Sequence, residues 1–273
     1  YKMIDDLKNK VIQGDCLEVM KDIPDKSIDM VLTSPPYDNL RDYKGYTFNF
    51  EGIAKEIYRV LKDGGVCVWV VGDATIKGSE TGTSFKQALY FKEIGFNLHD
   101  TMIYKKGSFP PTFPNTKRYQ NCFEYMFVFS KGRPIVFNAI QRDKSPNSVY
   151  NRKSKSSFRK SDGSFNYNER IDTSKTRTIE LNLWEIDCGY MKSTKDKYAY
   201  FHSAIFPEKL AENHIISWSN EGDTVLDPMA GSGTTLKMAK KNNRNYIGIE
   251  IAPEYIDIIN KRLSEPIQTK IKE

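Results

Sequence analysis

The sequence contains little of what metal-centred proteins need. Its four cysteines, Cys16, Cys67, Cys122 and Cys188, lie far apart and form no Cys-x-x-Cys pair. The three histidines are equally dispersed. A zinc site built from closely spaced thiolates or imidazoles is therefore not expected, and we interpret the cysteines as free thiols.

Long apolar runs are also missing from the 273-residue chain. No stretch approaches the ~20 apolar residues of a membrane-spanning helix. Near the start, Asp5, Asp6 and Lys8 interrupt the region in which a signal peptide is apolar. We therefore expect a cytoplasmic protein, with one large domain or one domain that carries an insertion.

Positive charge is in excess, because 41 Lys and Arg residues outnumber 35 Asp and Glu residues. The excess is concentrated between residues 142 and 177, in a segment poor in Leu, Ile and Val. Clustered cations favour nucleic-acid binding by releasing condensed counterions, whereas the alternative interpretation is a solvated loop. The candidate DNA-contacting residues are Arg152, Lys153, Lys155, Arg159 and Lys160.

Short apolar stretches alternate with amphipathic ones over the rest of the chain. Apolar runs predict buried strands over residues 28–32, 66–71, 224–226 and 246–251. Helical spacing predicts helices over 16–20, 50–61, 84–94, 207–217, 235–241 and 253–263. Strands over 96–104 and 123–129 are expected to pair near a sheet edge. The alternation predicts an α/β fold with a mainly parallel sheet and helices on both faces.

A glycine-rich turn follows the strand predicted at 224–226. It begins at Asp227, and Gly231 and Gly233 allow the backbone to pass close to a ligand. The helix that follows has free amide groups at its start, which can bind a carboxylate. A P-loop is excluded because no lysine follows Gly233. A dinucleotide fingerprint is excluded because Leu236 stands where a third glycine is needed.

Glu250 stands at the end of the next predicted strand. A carboxylate in this position can accept hydrogen bonds from both hydroxyls of a ribose. The alternative is a surface carboxylate without a ligand. The apolar neighbours Ile249 and Ile251 disfavour that alternative, since a charge at the end of a buried strand needs a partner.

A second motif, Thr33-Ser34-Pro35-Pro36-Tyr37, follows the strand predicted at 28–32. The prolines end regular structure and stiffen the loop. The Ser34 side chain and the Pro35 carbonyl can accept hydrogen bonds, and Tyr37 offers an aromatic face. The alternative interpretation is a Pro-Pro turn that closes a strand, with Tyr37 as a packing residue.

Together, the two motifs resemble those of S-adenosylmethionine-dependent DNA amino-methyltransferases, which methylate N4 of cytosine or N6 of adenine. Their order, with the Ser-Pro-Pro-Tyr loop first, resembles the permuted beta arrangement of that family. The resemblance implies a Rossmann-like methyltransferase fold, S-adenosylmethionine as the cofactor, and duplex DNA from which the target base is flipped. Two hydrogen-bond acceptors at the amine would make its delocalised nitrogen nucleophilic. The catalytic residues are then Ser34, Pro35, Pro36 and Tyr37.

The resemblance extends to other parts of the cofactor site. The segment His202 to Leu210 resembles the motif that lines the methionine end of the cofactor, although Ser203 and Ile205 replace the usual Phe and Thr. Asp15 is implied to contact the amino group of the cofactor adenine. The cofactor-binding residues are then Asp15, Cys16, His202, Ser203, Phe206, Asp227, Pro228, Met229, Ala230, Gly231, Ser232, Gly233, Thr234, Thr235, Glu250 and Ile251.

The resemblance also implies how the chain is divided. Residues 123–131 resemble a family strand after which target recognition begins in the beta arrangement. We therefore expect a catalytic half over residues 1–137, a target-recognition insertion over 138–200, and a cofactor-binding half over 201–273. The basic segment lies in the expected insertion, so composition and motif order agree on its role.

Cytosine N4 is the preferred target, because serine at the first loop position is more frequent in N4-cytosine enzymes. N6-adenine methylation is the alternative, since the lone pair of either amine is delocalised into its ring and must be made nucleophilic in the same way. An inactive DNA-binding partner subunit and an RNA methyltransferase are further alternatives. The resemblance also suggests a prokaryotic or phage-type protein, nucleoid-associated when bound to DNA. A homodimer and a separate restriction endonuclease are its suggested partners.

Overall fold

The computed structural model describes residues 3–36, 48–108, 117–144, 156–168, 176–201 and 205–266. The chain forms two compact units, a larger one from Tyr1–Asn138 with Asn182–Glu273 and a smaller one from Ala139–Leu181. No helix in the described ranges is long and apolar enough to cross a membrane.

The larger unit is built on an eight-stranded sheet. In chain order, the strands of the protein are β1 (Lys10–Gln13), β2 (Ile28–Thr33), β3 (Leu61–Val71), β4 (Thr75–Ile76), β5 (Ser79–Glu80), β6 (Asn97–Lys106), β7 (Phe123–Ser130), β8 (Gln141–Asp143), β9 (Ser156–Arg159), β10 (Phe165–Asn168), β11 (Arg177–Ile179), β12 (Leu183–Ile186), β13 (Thr224–Asp227) and β14 (Asn245–Glu250). The order in the large sheet is β1-β14-β13-β2-β3-β7-β6-β12.

The first five strands of that order run parallel to one another. β7 is antiparallel to both β3 and β6, and β12 is parallel to β6. The predicted mainly parallel sheet is therefore confirmed, as is the pairing of the strands predicted at 96–104 and 123–129. The edge position belongs to β12, which pairs Trp184 with Tyr104.

Helices cover both faces of the sheet, as predicted. They are α1 (Ile4–Leu7), α2 (Cys16–Met20), α3 (Phe50–Val60), α4 (Thr83–Glu93), α5 (Glu208–Trp218), α6 (Thr234–Lys241) and α7 (Pro253–Ser264), with a 3-10 helix at Lys197–Phe201. On one face, Trp69 of β3 meets Phe50 and Phe91 at ring-centroid distances of 5.7 and 5.2 Å. On the opposite face, the Nε2 atom of His214 in α5 lies 3.2 Å from the Sδ atom of Met126. Burial lowers the pKa of His214 to about 3, so it is a neutral core residue.

The smaller unit contains two antiparallel strand pairs. β9 pairs with β10, and β8 pairs with β11. The predicted insertion, 138–200, is longer than this unit, because β12 and residues 197–200 of the 3-10 helix belong to the larger one. Trp184 and Ile186 are buried on one face of β12. A strand of only four residues in a polar stretch was too weak a signal to predict.

Candidate functional site

The carboxyl ends of β1, β14, β13 and β2 lie at the same edge of the sheet, because these strands are parallel neighbours. A cavity of ≈ 900 Å³ opens at this edge. Ligands of open α/β sheets bind at such a place. Most predicted site residues line it together: Asp15, Cys16, Ser34, Pro35, Pro36, Phe206, Asp227, Pro228, Met229, Ala230, Gly231, Ser232, Thr234, Thr235, Glu250 and Ile251.

The remaining predicted residues fall outside that set. Tyr37, His202 and Ser203 lie outside the described residues, as do Arg152, Lys153 and Lys155. Gly233 is described but is absent from the lining. Its place in the site is structural, because it is the N-cap of α6 with φ +80°, and a Cβ there would stand 2.9 Å from Ile259 of α7.

Glu250 faces the glycine turn from the end of β14. Its carboxylate is 8% exposed and accepts hydrogen bonds from the backbone N–H of Gly231 at 2.7 Å and of Ala252 at 3.0 Å. Burial raises the pKa of Glu250 above its ordinary value. Each carboxylate oxygen has a second lone pair. Glu250 can therefore hold the turn in shape and still accept hydroxyl hydrogens from a ligand in the cavity.

Asp227 joins the two motifs that lie far apart in the chain. Its Oδ1 accepts a hydrogen bond from Thr33 Oγ1 at 2.7 Å and another from the backbone N–H of Met229 at 3.1 Å. Thr33 immediately precedes Ser34, so the Ser-Pro-Pro loop is anchored to the start of the glycine turn. Burial raises the pKa of Asp227 to about 6, although the hydroxyls of Thr33 and Thr235 oppose this rise.

The raised pKa makes stability depend on pH in a direction opposite to that of most carboxylates. The native state holds the Asp227 proton up to about pH 6, whereas the unfolded chain releases it near pH 4. Stability therefore falls as pH rises through this interval. We expect Asp227→Asn to lack this loss, which amounts to at most about 3 kcal/mol for a shift of about two pKa units.

Urea unfolding of the wild-type protein and of Asp227→Asn, measured at several pH values between 4 and 7.5, checks this expectation. Other titrating groups cancel when the two proteins are compared at each pH. The stability of the wild-type protein should decrease relative to the variant between pH 4 and 6 and level off above that. A constant difference would mean that Asp227 does not titrate in this interval.

Asp15 and Cys16, which follow β1, also line the cavity. Asp15 is exposed and is the N-cap of α2, where its carboxylate accepts the N–H of Leu17 at 2.8 Å. Burial and the neighbouring Asp15 raise the pKa of Cys16 to about 12, so this residue is a protonated thiol near neutral pH. Cys16 therefore contributes a contact surface rather than a thiolate nucleophile.

The cavity is also lined by side chains that were not predicted from the sequence, among them three polar ones on β6 and β7. Tyr104, Lys106 and Glu124 line it together with Ser34. Lys106 and Glu124 form an ion pair at 2.6 Å, and Glu124 lies opposite Tyr104 in the register of β6 and β7. The available signal was the resemblance of residues 123–131 to a family strand. That signal did not show that β6 and β7 would place these side chains in the same cavity as Ser34.

No group of three His, Cys, Asp or Glu side chains suited to a metal ion occurs in the part of the chain that the structure describes. The site instead combines backbone amides, carboxylates and small apolar residues around a cavity large enough for a small-molecule ligand. Such a lining fits a nucleoside ligand whose ribose hydroxyls are donors and whose carboxylate needs amide groups.

Comparison with known proteins agrees with this geometry. The sequence profile of a DNA methylase family, with N6- and N4-directed members, matches residues 28–261. The chain belongs to this DNA methylase family. The match includes both the Ser-Pro-Pro loop and the glycine turn, so the predicted family is confirmed.

Individual relatives support the same assignment. The orphan methyltransferase M.BamHII of Bacillus amyloliquefaciens is 58% identical over 249 residues, which cover 90% of this chain and 92% of the relative. The structure of the PvuII DNA methyltransferase (cytosine-N4-specific) has a TM-score of 0.69 at 23% identity, covering 96% of this chain and 88% of that one. The Thermus thermophilus protein TTHA0409, a DNA modification methylase solved with S-adenosyl-L-methionine, has a TM-score of 0.63 at 21% identity, covering 95% and 94%.

The family assignment defines the reaction at a coarse level. The protein is a DNA amino-methyltransferase, and its cofactor is S-adenosylmethionine, as the sequence predicted. The Rossmann-like fold is likewise confirmed by the solved relatives.

Proposed function

We propose that this methyltransferase acts on the exocyclic N4 amine of a flipped cytosine at a specific sequence in duplex DNA. The assignment of roles to the residues of the site rests on one observation. Ser34, Pro35 and Pro36 line the same cavity as the glycine turn, and the Thr33–Asp227 hydrogen bond of 2.7 Å holds the two together. The methyl donor and the target amine would thus share one cavity.

The cofactor is held by groups at the ends of three strands. Glu250 accepts from the ribose hydroxyls, and Asp15 accepts from the amino group of the adenine. The turn from Pro228 to Ser232 would contact the cofactor, and the free amides at the start of α6 would bind its carboxylate. Phe206 and Ile251 supply apolar contact. All of these residues line the cavity.

The catalytic loop makes the amine nucleophilic. The lone pair of an exocyclic amine is delocalised into the ring, so the nitrogen attacks poorly. Acceptance of its hydrogens by the Ser34 hydroxyl oxygen and the Pro35 carbonyl favours a tetrahedral nitrogen. When bound, S-adenosylmethionine supplies an electrophilic methyl group on a sulfonium. Pro35 is buried and Pro36 partly buried, so the acceptors are preorganised and little energy is lost in orienting them.

The choice of cytosine rests on Ser34. Serine at the first position of this loop is more frequent in N4-cytosine enzymes, whereas aspartate or asparagine favours N6-adenine. The electronic demand of the two amines is the same. Adenine N6 is therefore the second candidate, and it would use the same residues.

Methyl transfer from labelled S-adenosylmethionine to mixed-sequence duplex DNA, followed by nucleoside mass spectrometry, tests the proposal. N4-methylcytosine is the expected product. N6-methyladenine would retain the catalytic roles but overturn the base assignment. Absence of a methylated base with cofactor still bound would favour an inactive partner subunit, and preferential competition by RNA would favour an RNA substrate.

The basic segment is proposed to contact the DNA backbone. Arg159 and Lys160 are exposed at the end of β9 and in the turn that follows it. Replacing Arg152, Lys153, Lys155, Arg159 and Lys160 by glutamine should weaken DNA binding at low salt. The slope of log K against log salt should fall by about 0.9 for each phosphate that the variant no longer neutralises.

Fluorescence anisotropy with duplex DNA at increasing salt measures that slope. A matched control replaces Lys21 and Lys26, which are exposed and pair with acidic residues. These lysines precede β2, at the amino ends of the parallel strands. We therefore expect their replacement to leave the slope of log K against log salt unchanged. An unchanged slope in the five-residue variant would remove the segment from the interface. The homodimer and the separate restriction endonuclease stay predictions.

A further inference from the structure

Behind the glycine turn, α7 places an arginine that is completely buried. Arg262 is 0% exposed, and its Nη1 donates to the backbone carbonyl of Ser232 at 2.8 Å. The same nitrogen lies 3.2 Å from Ser232 Oγ and 3.0 Å from Thr234 Oγ1. Ser232 and Thr234 line the cavity, whereas Arg262 does not. The guanidinium therefore binds the turn without lining the cavity.

The other nitrogens of Arg262 bind a different part of the chain. Nε donates to Asp196 Oδ2 at 2.8 Å, and Nη2 donates to Glu208 Oε1 at 2.7 Å. Lys237 of α6 donates to the same two carboxylate oxygens at 2.7 and 2.9 Å. Asp196 precedes the 3-10 helix, and Glu208 begins α5. Two cations and two carboxylates thus form one cluster.

The segment held by this cluster, which comprises the described residues 193–201 and 205–208, also contributes to the lining of the cavity. Ser193 and Tyr200 line it, on either side of Asp196 in the chain. The segment is closed on itself, because Glu208 N–H donates to the carbonyl of Ser193 at 2.9 Å and Thr194 Oγ1 donates to Glu208 Oε1 at 2.7 Å. A shift of Asp196 or Glu208 would therefore displace this wall of the cavity.

The stability of this cluster depends on how well its charged groups are placed relative to one another. Removing ions from water costs several kcal/mol each, and only well-placed partners offset that cost. Burial by itself would raise the pKa of Asp196, but the hydrogen bond from Lys237 and the charge of Arg262 bring it below its ordinary value. Asp196 is therefore ionised near neutral pH. The planar fork of arginine can reach both carboxylates and the Ser232 carbonyl, which the single ammonium of a lysine cannot do.

We propose that Arg262 is a positioning residue for S-adenosylmethionine. It fixes the glycine turn relative to Asp196 and Glu208 and to the described residues beside them, so the cavity has its cofactor-binding shape before the cofactor arrives. Preorganisation of this kind raises affinity without a direct contact. The proposal concerns the cofactor alone and holds whichever base is methylated.

The test compares Arg262→Lys with Arg59→Lys. Arg59 is a matched control, since it donates to the carboxylates of Glu56 and Asp25 and to the carbonyls of Met20 and Ile23. It lies at the end of α3, beside the start of β2 and away from the cavity lining. Calorimetry with S-adenosylmethionine, thermal unfolding, and methylation at saturating cofactor are measured for both variants.

For Arg262→Lys, we expect the Kd for S-adenosylmethionine to rise about tenfold, which corresponds to about 1.4 kcal/mol. At saturating cofactor, kcat and the KM for DNA should stay within about threefold of the wild-type values. Arg59→Lys should lower Tm but leave the Kd unchanged. An unchanged Kd in Arg262→Lys would refute the proposal, as would an equal rise in the Arg59→Lys control, because then loss of stability alone weakens binding.

Lys237→Met provides the test if Arg262→Lys does not fold. Lys237 contacts the Asp196 and Glu208 side of the cluster and is partly exposed, so this variant preserves the bonds from Arg262 to the turn. We expect the Kd for S-adenosylmethionine to rise about threefold, with kcat at saturation unchanged. No change in Kd would show that the segment and the turn are not coupled through the cluster.

Discussion

Replacing Ser34 by alanine is expected to lower kcat for DNA methylation by about 10²–10³-fold, the usual effect of removing one preorganised hydrogen-bonding group that stabilises a transition state. The Kd for S-adenosylmethionine should stay within about twofold of the wild-type value, because in the proposal Ser34 contacts the target amine and not the cofactor. Single-turnover methylation with saturating DNA and calorimetry with the cofactor measure the two quantities separately.

Ser79→Ala is a suitable control for this experiment. It makes the same substitution in the β4–β5 hairpin, where Ser79 Oγ donates to the carbonyl of Glu80 at 3.2 Å. We expect no change in kcat there. If Ser34→Ala weakened cofactor binding as strongly as it slowed turnover, the separation of roles between the catalytic loop and the glycine turn would be wrong.

Tyr37→Ala should also slow turnover, because it removes base stacking of about 1–3 kcal/mol.

Glu250→Ala is expected to raise the Kd for S-adenosylmethionine about 100-fold or more. Hydrogen bonds to a charged group contribute about 1.5–3 kcal/mol each, and the proposed carboxylate accepts from two ribose hydroxyls. The substitution also removes the acceptor for the Gly231 N–H, whose 2.7 Å bond holds the glycine turn. Both effects act in the same direction, so this variant should bind the cofactor most weakly of those considered.

Calorimetry with S-adenosylmethionine and with S-adenosylhomocysteine measures this effect for both ligands, which share the ribose. Glu250→Gln separates the two effects, since a glutamine oxygen can still accept from Gly231 while the charge is gone. Its affinity should lie between those of Glu250→Ala and the wild-type protein. Glu93→Ala, at an exposed position near the end of α4, is the control. Equal affinities for all four proteins would exclude Glu250 from the site.

Much of the fold could be predicted because the local signals agree with the tertiary environment. The apolar run at 28–32 became β2, which is buried at nearly every position and stops before Pro35. The helix predicted at 16–20 has those bounds in the structure, with Asp15 as its cap. β12 was missed because four residues with two buried side chains do not stand out in a polar stretch.

The candidate site was predictable where it is made of loops that follow strands. The residues near Ser34 and Gly231 were found because proline and glycine carry local conformational information. Lys106 and Glu124 were not found, since their pairing depends on the register of two antiparallel strands. Arg262 was not found either, because an arginine near the end of an amphipathic helix is ordinarily exposed.

By itself, the sequence determined the α/β class, the positions of the two loops and the family of methyltransferases to which they belong. Only the tertiary structure decided how those loops meet. Thr33 and Asp227 are 194 residues apart in the chain, yet they share a hydrogen bond because β2 and β13 are neighbours in the sheet. Arg262 of α7 likewise joins the glycine turn to Asp196 and Glu208, residues that are distant from it in the chain. Local pattern specifies which segments are strands and turns, whereas the contacts between them depend on strand order, which no single segment contains.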